Sequence, residues 1–114
     1  FHGISSHASS APEKGRSALD AVEAFNYMIN LMREHVPDGT RIHYVITDGG
    51  KAPNVVPERA QVLYYFRNRS RAVVEDLKER ALKAAEGAAL GTGTKMEFEV
   101  VSGNFERLYN ARLD

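Results

Sequence analysis

Residues 40–47 read Thr40-Arg41-Ile42-His43-Tyr44-Val45-Ile46-Thr47, and residues 60–68 read Ala60-Gln61-Val62-Leu63-Tyr64-Tyr65-Phe66-Arg67-Asn68. In the first, Ile42, Tyr44 and Ile46 share a face opposite Arg41, His43 and Val45. In the second, Val62, Tyr64 and Phe66 lie opposite Leu63, Tyr65 and Arg67. A period of two in β-branched and aromatic side chains predicts strands. The stretch between them, Asp-Gly-Gly-Lys-Ala-Pro-Asn-Val-Val-Pro-Glu-Arg at 48–59, is rich in turn formers.

Working outward, the period changes. Ala18, Val22, Phe25, Ile29, Met32 and Val36 recur at steps of four and three, one face of a helix. Ser17 is its N-cap, Asp20 makes a capping-box variant, and Pro37-Asp38-Gly39 stops it. Downstream, Ser70 caps a second helix with the stripe Val73, Leu77, Ala81, Ala84 and Ala88, ended by Gly91-Thr92-Gly93. A last strand is predicted at about 95–101, with Met96, Phe98 and Val100 inward and Lys95, Glu97 and Glu99 outward. Residues 1–7 are short and β-compatible, 8–16 form a small-residue loop with Pro12 and Gly15, and 102–114 have loop character. The order β-α-β-β-α-β predicts an α+β fold of ferredoxin-like type, a four-stranded antiparallel sheet with two helices on one face. Such a fold hosts many functions.

Composition narrows the choices. A chain of 114 residues makes one domain, 1–114, and it has no cysteine for a disulfide or thiolate site. Fifteen Lys plus Arg balance fifteen Asp plus Glu, so no long-range field attracts nucleic acid or an anionic membrane. The Tyr64-Tyr65-Phe66 tract lacks the glycine-aromatic motif of an RNA-recognition sheet. With no membrane-length apolar run and no signal-peptide layout, the expectation is a soluble, cytoplasmic protein. The abrupt ends, Phe1 and Leu113-Asp114, suggest a piece of a longer protein.

Four histidines are available, His2, His7, His35 and His43, without His-Glu-x-x-His spacing, so no metal site is expected within the chain. His35 at a helix end and His43 on a polar strand face read as structural or solvated. His7 ends a strand among side chains too small to bury it. It suits donation to an oxyanion on another surface, or it is an ordinary loop histidine. Asn54 lies between Gly49-Gly50 and Pro57, either as a positioned amide or as a turn residue satisfying itself. Arg67 ends a strand with a fork suited to a carboxylate, or it pairs with Glu97 or Glu99.

Together these stretches carry a resemblance. Gly3-Ile4-Ser5-Ser6-His7-Ala8, Pro12 and Gly15-Arg16-Ser17-Ala18-Leu19-Asp20-Ala21 resemble the entry to the lid of M20-family amidohydrolases. Gly49-Gly50, Asn54-Val55-Val56-Pro57 and Tyr64-Tyr65-Phe66-Arg67 resemble that lid's second half. Arg33-Glu34-His35-Val36 and Ile42–Thr47 look most like the aminobenzoyl-glutamate utilisation branch, while Phe105-Glu106-Arg107-Leu108-Tyr109-Asn110 matches loosely.

The resemblance implies a lid and dimerisation domain inserted into a catalytic domain that binds two divalent ions, zinc or manganese, and supplies a glutamate general base. It implies a homodimer and a small acyl-amino-acid substrate such as p-aminobenzoyl-glutamate. By position, His7 matches the histidine that stabilises the oxyanion, in many members within the partner subunit's site. Asn54 matches the substrate-contacting asparagine, and Arg67 the arginine that holds the substrate carboxylate. Metal ligands and general base have no counterpart here, so the segment alone is expected to be inactive. The competing readings are a stand-alone ferredoxin-like binding or regulatory module, and a dimerisation domain of an inactive relative.

Overall fold

Ser17 and Ser70 do what N-caps do: Ser17 Oγ accepts from the Asp20 amide at 3.2 Å and Ser70 Oγ from the Val73 amide at 3.4 Å. Behind them run α1 (Ala18–Met32) and α2 (Arg71–Thr92), the latter closed by Gly93 in the left-handed conformation at φ 71°. The computed structural model describes residues 1–7, 11–101 and 107–113, the last seven by backbone. Its strands are β1 (Arg41–Asp48), β2 (Gln61–Arg67), β3 (Phe98–Val100) and β4 (Arg107–Leu113), in one antiparallel sheet of order β1-β2-β4-β3. No helix among the described residues is long and apolar enough to cross a membrane.

The core lies between the helices and one sheet face. Val62, Tyr64 and Phe66 of β2 are fully buried against Ala18, Val22, Phe25 and Ile29 of α1 and Leu77, Ala81, Ala85 and Ala88 of α2. Of the predicted α1 stripe, Ala18, Val22, Phe25 and Ile29 are buried, joined by Ala21; Met32 is partly buried at the helix end, and Val36, also partly buried, lies beyond the 3₁₀ turn Arg33–His35. On α2 the buried stripe is turned slightly, with Val74 and Ala85 inside and Val73 and Ala84 partly buried. Tyr64 packs edge-on to Phe25 at 5.1 Å and stacks between Tyr44 and Phe66 at 4.9 and 5.7 Å. Its hydroxyl donates to Asn26 Oδ1 at 2.5 Å, which satisfies two buried polar groups at once. Burial, then the neighbouring Tyr44, push the Tyr64 phenol well above its usual value, with Arg33 opposing.

The α+β class, two helices and antiparallel sheet agree with the sequence reading, and three details differ. Residues 1–7 form isolated bridges rather than a continuous strand. Phe98 and Val100, expected inward, are 46% and 44% exposed. Alternation shows that two faces differ but not which is covered, and among the described residues β3 pairs only with β4, at the sheet's far edge. Arg107–Leu113, read as loop, is β4: Asn and Ala weaken its strand signal, and pairing with β2 and β3 overrides that. Ala8, Phe105 and Glu106 of the quoted motifs lie outside the described residues.

Candidate functional site

Glycine content near the start of the chain sets the geometry. Phe1 and Gly3 donate to Ala60 and Glu58 carbonyls at 2.8 Å, while His2 and Ile4 donate to Lys95 and Arg16 carbonyls at 2.8 Å. The segment is thus paired along both edges over a few residues. At Gly3 a Cβ would collide with the Arg16 carbonyl oxygen, a backbone atom that cannot yield. At Gly15 it would meet Ser6 Oγ at 2.5 Å and both Val56 methyls at 3.2 Å. Glycine at position 3 is what permits the close approach of the first residues to the Arg16 backbone, and glycine at 15 leaves room for the Ser6 and Val56 side chains. The far end of this crossing delivers His7, bridged to Val55, with the Val56 amide donating to Ser6 O at 2.9 Å.

The stretch between β1 and β2 is shaped by its own residues. Asp48 Oδ1 accepts from the Gly50 amide at 3.2 Å, and Gly50 takes φ 105° with Pro57 packed where a side chain would be. A turn closes from the Val55 amide to Ala52 O at 3.3 Å, and Asn54 sits within it. Its amide Nδ2 stands 3.5 Å from His7 Nε2, although the two residues are 47 apart in sequence. Both residues are exposed.

At 3.5 Å the contact is a long, weak hydrogen bond that orients more than it stabilises. With Nδ2 as donor, His7 Nε2 is the acceptor and the ring proton sits on Nδ1. With the amide turned over, its oxygen accepts from an Nε2–H instead. Asn54 is therefore a compatible partner for both protonation states that a histidine passes through as it donates a proton or a hydrogen bond. Among the described residues, no group of three His, Cys, Asp or Glu side chains is placed to hold a metal ion. The arrangement presents a histidine and an amide at the surface, each able to exchange a hydrogen bond.

Arg67 is elsewhere. It closes β2, opposite Arg41 on β1 and Arg107 on β4, whereas the His7–Asn54 pair lies beyond the start of that strand. The length of β2 separates them, about 20 Å at the usual strand rise. The suggested pairing of Arg67 with Glu97 or Glu99 is absent among the described residues: Glu97 Oε1 instead lies 3.7 Å from His2 Nε2. His35 sits in the 3₁₀ turn Arg33–His35 after α1, 3.2 Å from Glu34 Oε1, and His43 is exposed on the helix-free sheet face. Sequence reasoning brought out Arg67 and missed Arg41 and Arg69, which line an open recess with it. The alternating run Arg67-Asn68-Arg69-Ser70-Arg71 is the signal that could have found Arg69.

The glycine-gated crossing, the exposed His7–Asn54 pair and the open sheet edge coincide with a family match: the peptidase dimerisation domain model of the M20 peptidases covers residues 1–93. The chain belongs to that family, which is generally metal-dependent. Among curated relatives it is 46% identical over 98 residues to a p-aminobenzoyl-glutamate hydrolase polypeptide of Escherichia coli K12, covering 85% of this chain and 20% of the relative. It is 32% identical over 99 residues to the mouse Xaa-Arg dipeptidase (87% and 23%), and 28% over 101 residues to the indole-3-acetyl-aspartic acid hydrolase of Enterobacter agglomerans (89% and 23%). The chain spans about a fifth of the length of these relatives, which are hydrolases.

Proposed function

We propose that this chain is the lid and dimerisation domain of a cytoplasmic, metal-dependent amidohydrolase that cleaves an acyl-amino acid such as p-aminobenzoyl-glutamate. In this reading two divalent ions, zinc or manganese, and the general base lie in a catalytic domain outside this chain. His7 supplies a hydrogen bond to the tetrahedral oxyanion, Asn54 orients His7 and contacts substrate, and Arg67 holds the substrate carboxylate. The observation that carries the reading is the approach of His7 and Asn54 to 3.5 Å from distant parts of the sequence. The ferredoxin-like description of the sheet is supported by His2, which bridges Arg59 on one side and Lys95 on the other, both antiparallel.

The wide separation of His7 and Arg67 favours a shared site in a homodimer. A two-fold axis can bring the His7 end of one subunit to the Arg67 end of its partner, which one subunit cannot do for itself. An edge for such pairing exists: β1 is terminal in the sheet, Tyr44 and Ile46 are 40% and 41% exposed, and α1 beside it exposes Tyr27 and Leu31 at 66% and 57%.

The test uses the full-length protein carrying this chain. It should be a dimer, and it should release p-aminobenzoate from p-aminobenzoyl-glutamate in a reaction abolished by a chelator and restored by zinc or manganese. Mixing His7→Ala with a variant dead in the catalytic domain should restore activity through one intact crossed site. A monomer, or a metal-loaded dimer inert toward every acyl-amino acid tried, contradicts the reading.

A further inference from the structure

Arg41 and Arg67 are directly opposite across β1 and β2, so both side chains leave the sheet on the helix-free face. Arg69 follows two residues later, and Arg71 opens α2, where the positive end of the helix disfavours a cation. Among the described residues no carboxylate forms an ion pair with Arg41, Arg67 or Arg69. The chain as a whole is neutral, so this concentration of positive charge is local. Like charges opposed across a ladder destabilise it, and positions that break a local rule without compensation inside the fold mark a function.

The surroundings are built to hold these arginines. Asn68 is buried between them; its Nδ2 donates to Thr40 Oγ1 at 3.0 Å and to Asp38 O at 3.4 Å, and its Oδ1 accepts from the Ser70 amide at 2.9 Å. That ties the turn before β1 to the turn after β2. Gly39, Arg41, Arg67, Asn68 and Arg69 line an open recess of about 470 Å³. One carboxylate is satisfied by one or two guanidinium forks, and three forks around one recess exceed that need. Next on the same face come His43 with Tyr65 and Val45 with Leu63, lining a shallow recess of about 230 Å³. The cationic end thus adjoins an aromatic and apolar strip, which suits a small amphiphilic acid better than a nucleic-acid backbone.

We propose that Arg41 and Arg69 form a second carboxylate subsite beside Arg67, so that the site selects ligands bearing two carboxylates a few bonds apart, the dicarboxylic amino-acid end of an acyl-amino acid. This rests on the reading of Arg67 given above and specifies its substrate class.

The experiment measures binding of glutarate, butyrate and tripolyphosphate to the full-length protein, its Arg41→Gln variant and its Arg69→Gln variant. Acyl-glutamate and acyl-glutamine turnover is followed in parallel. Glutarate should bind the wild type at least about tenfold more tightly than butyrate, and each variant should weaken it about 10- to 100-fold. The preference for acyl-glutamate over acyl-glutamine in kcat/KM should fall by a similar factor, through KM. Ligand-free Arg41→Gln should unfold at the same or a higher temperature, whereas loss of a structural ion pair would lower it. Glutarate binding no tighter than butyrate, or unchanged in both variants, overturns the proposal. So does tripolyphosphate binding more tightly than glutarate through the same arginines. Arginine-dependent glutarate binding in a protein that hydrolyses no acyl-amino acid keeps the subsite and removes the hydrolase reading.

Discussion

Between α1 and β2 the large side chains meet one another: Phe1, Phe25, Tyr64 and Phe66 are all within 1% of full burial, and Tyr64 and Asn26 satisfy each other. The two ends of β2 are built on other terms. At the end near the chain's start, Gly3 passes so close to the Arg16 backbone that a side chain would collide, and Ser6 Oγ is buried there without a hydrogen-bond partner among the described residues. At the opposite end, Arg41 and Arg67 face each other across the ladder. The packed middle follows the ordinary rules for apolar burial, and the ends accept local costs in return for side chains offered outward.

Substitutions can break this contrast, and the largest effect should come from the middle. Phe25→Ala removes a ring that touches Phe1 and Tyr64. It should cost about 3–5 kcal/mol in chemical unfolding. A loss under about 1 kcal/mol would mean that the core is not organised around the aromatic cluster. Gly3→Ala places a methyl against the Arg16 carbonyl and should cost about 1–3 kcal/mol. On the proposed function it should also lower turnover by the full-length protein, because the same crossing delivers His7. Full stability and activity in that variant would show that the crossing tolerates a side chain.

Tyr64→Phe should cost less, about 1–2 kcal/mol, by leaving the buried Asn26 amide without its donor. It also has a pH signature. The folded phenol holds its proton beyond the point, about pH 10, at which the unfolded chain releases it. The stabilisation is therefore complete below that pH and is lost as pH rises further, by up to about 1.4 kcal/mol per pH unit. Tyr64→Phe should flatten this alkaline decline, and an unchanged slope would assign it to other groups.

The same contrast explains what could be read from the sequence. Both helices, their serine caps, the α1 stripe and the β1–β2 pair follow from local periodicity, because each is decided by which side of one element is buried. The fate of residues 1–7, the exposure of Phe98 and the existence of β4 depend on partners distant in sequence, on which local pattern is silent. His7, Asn54 and Arg67 were legible as chemical types. That Asn54 lies beside His7 while Arg67 stands at the other end of β2 required the fold.

The central claim is that His7 is presented by the crossing for chemistry and contributes little to the fold. Its most direct test is kcat for acyl-glutamate hydrolysis by full-length His7→Ala, measured beside thermal unfolding and metal content. Loss of an oxyanion donor should reduce kcat by about 10²- to 10³-fold with unfolding temperature and metal content unchanged. A kcat within a few-fold of wild type, or a loss that follows a fall in stability, would contradict the account.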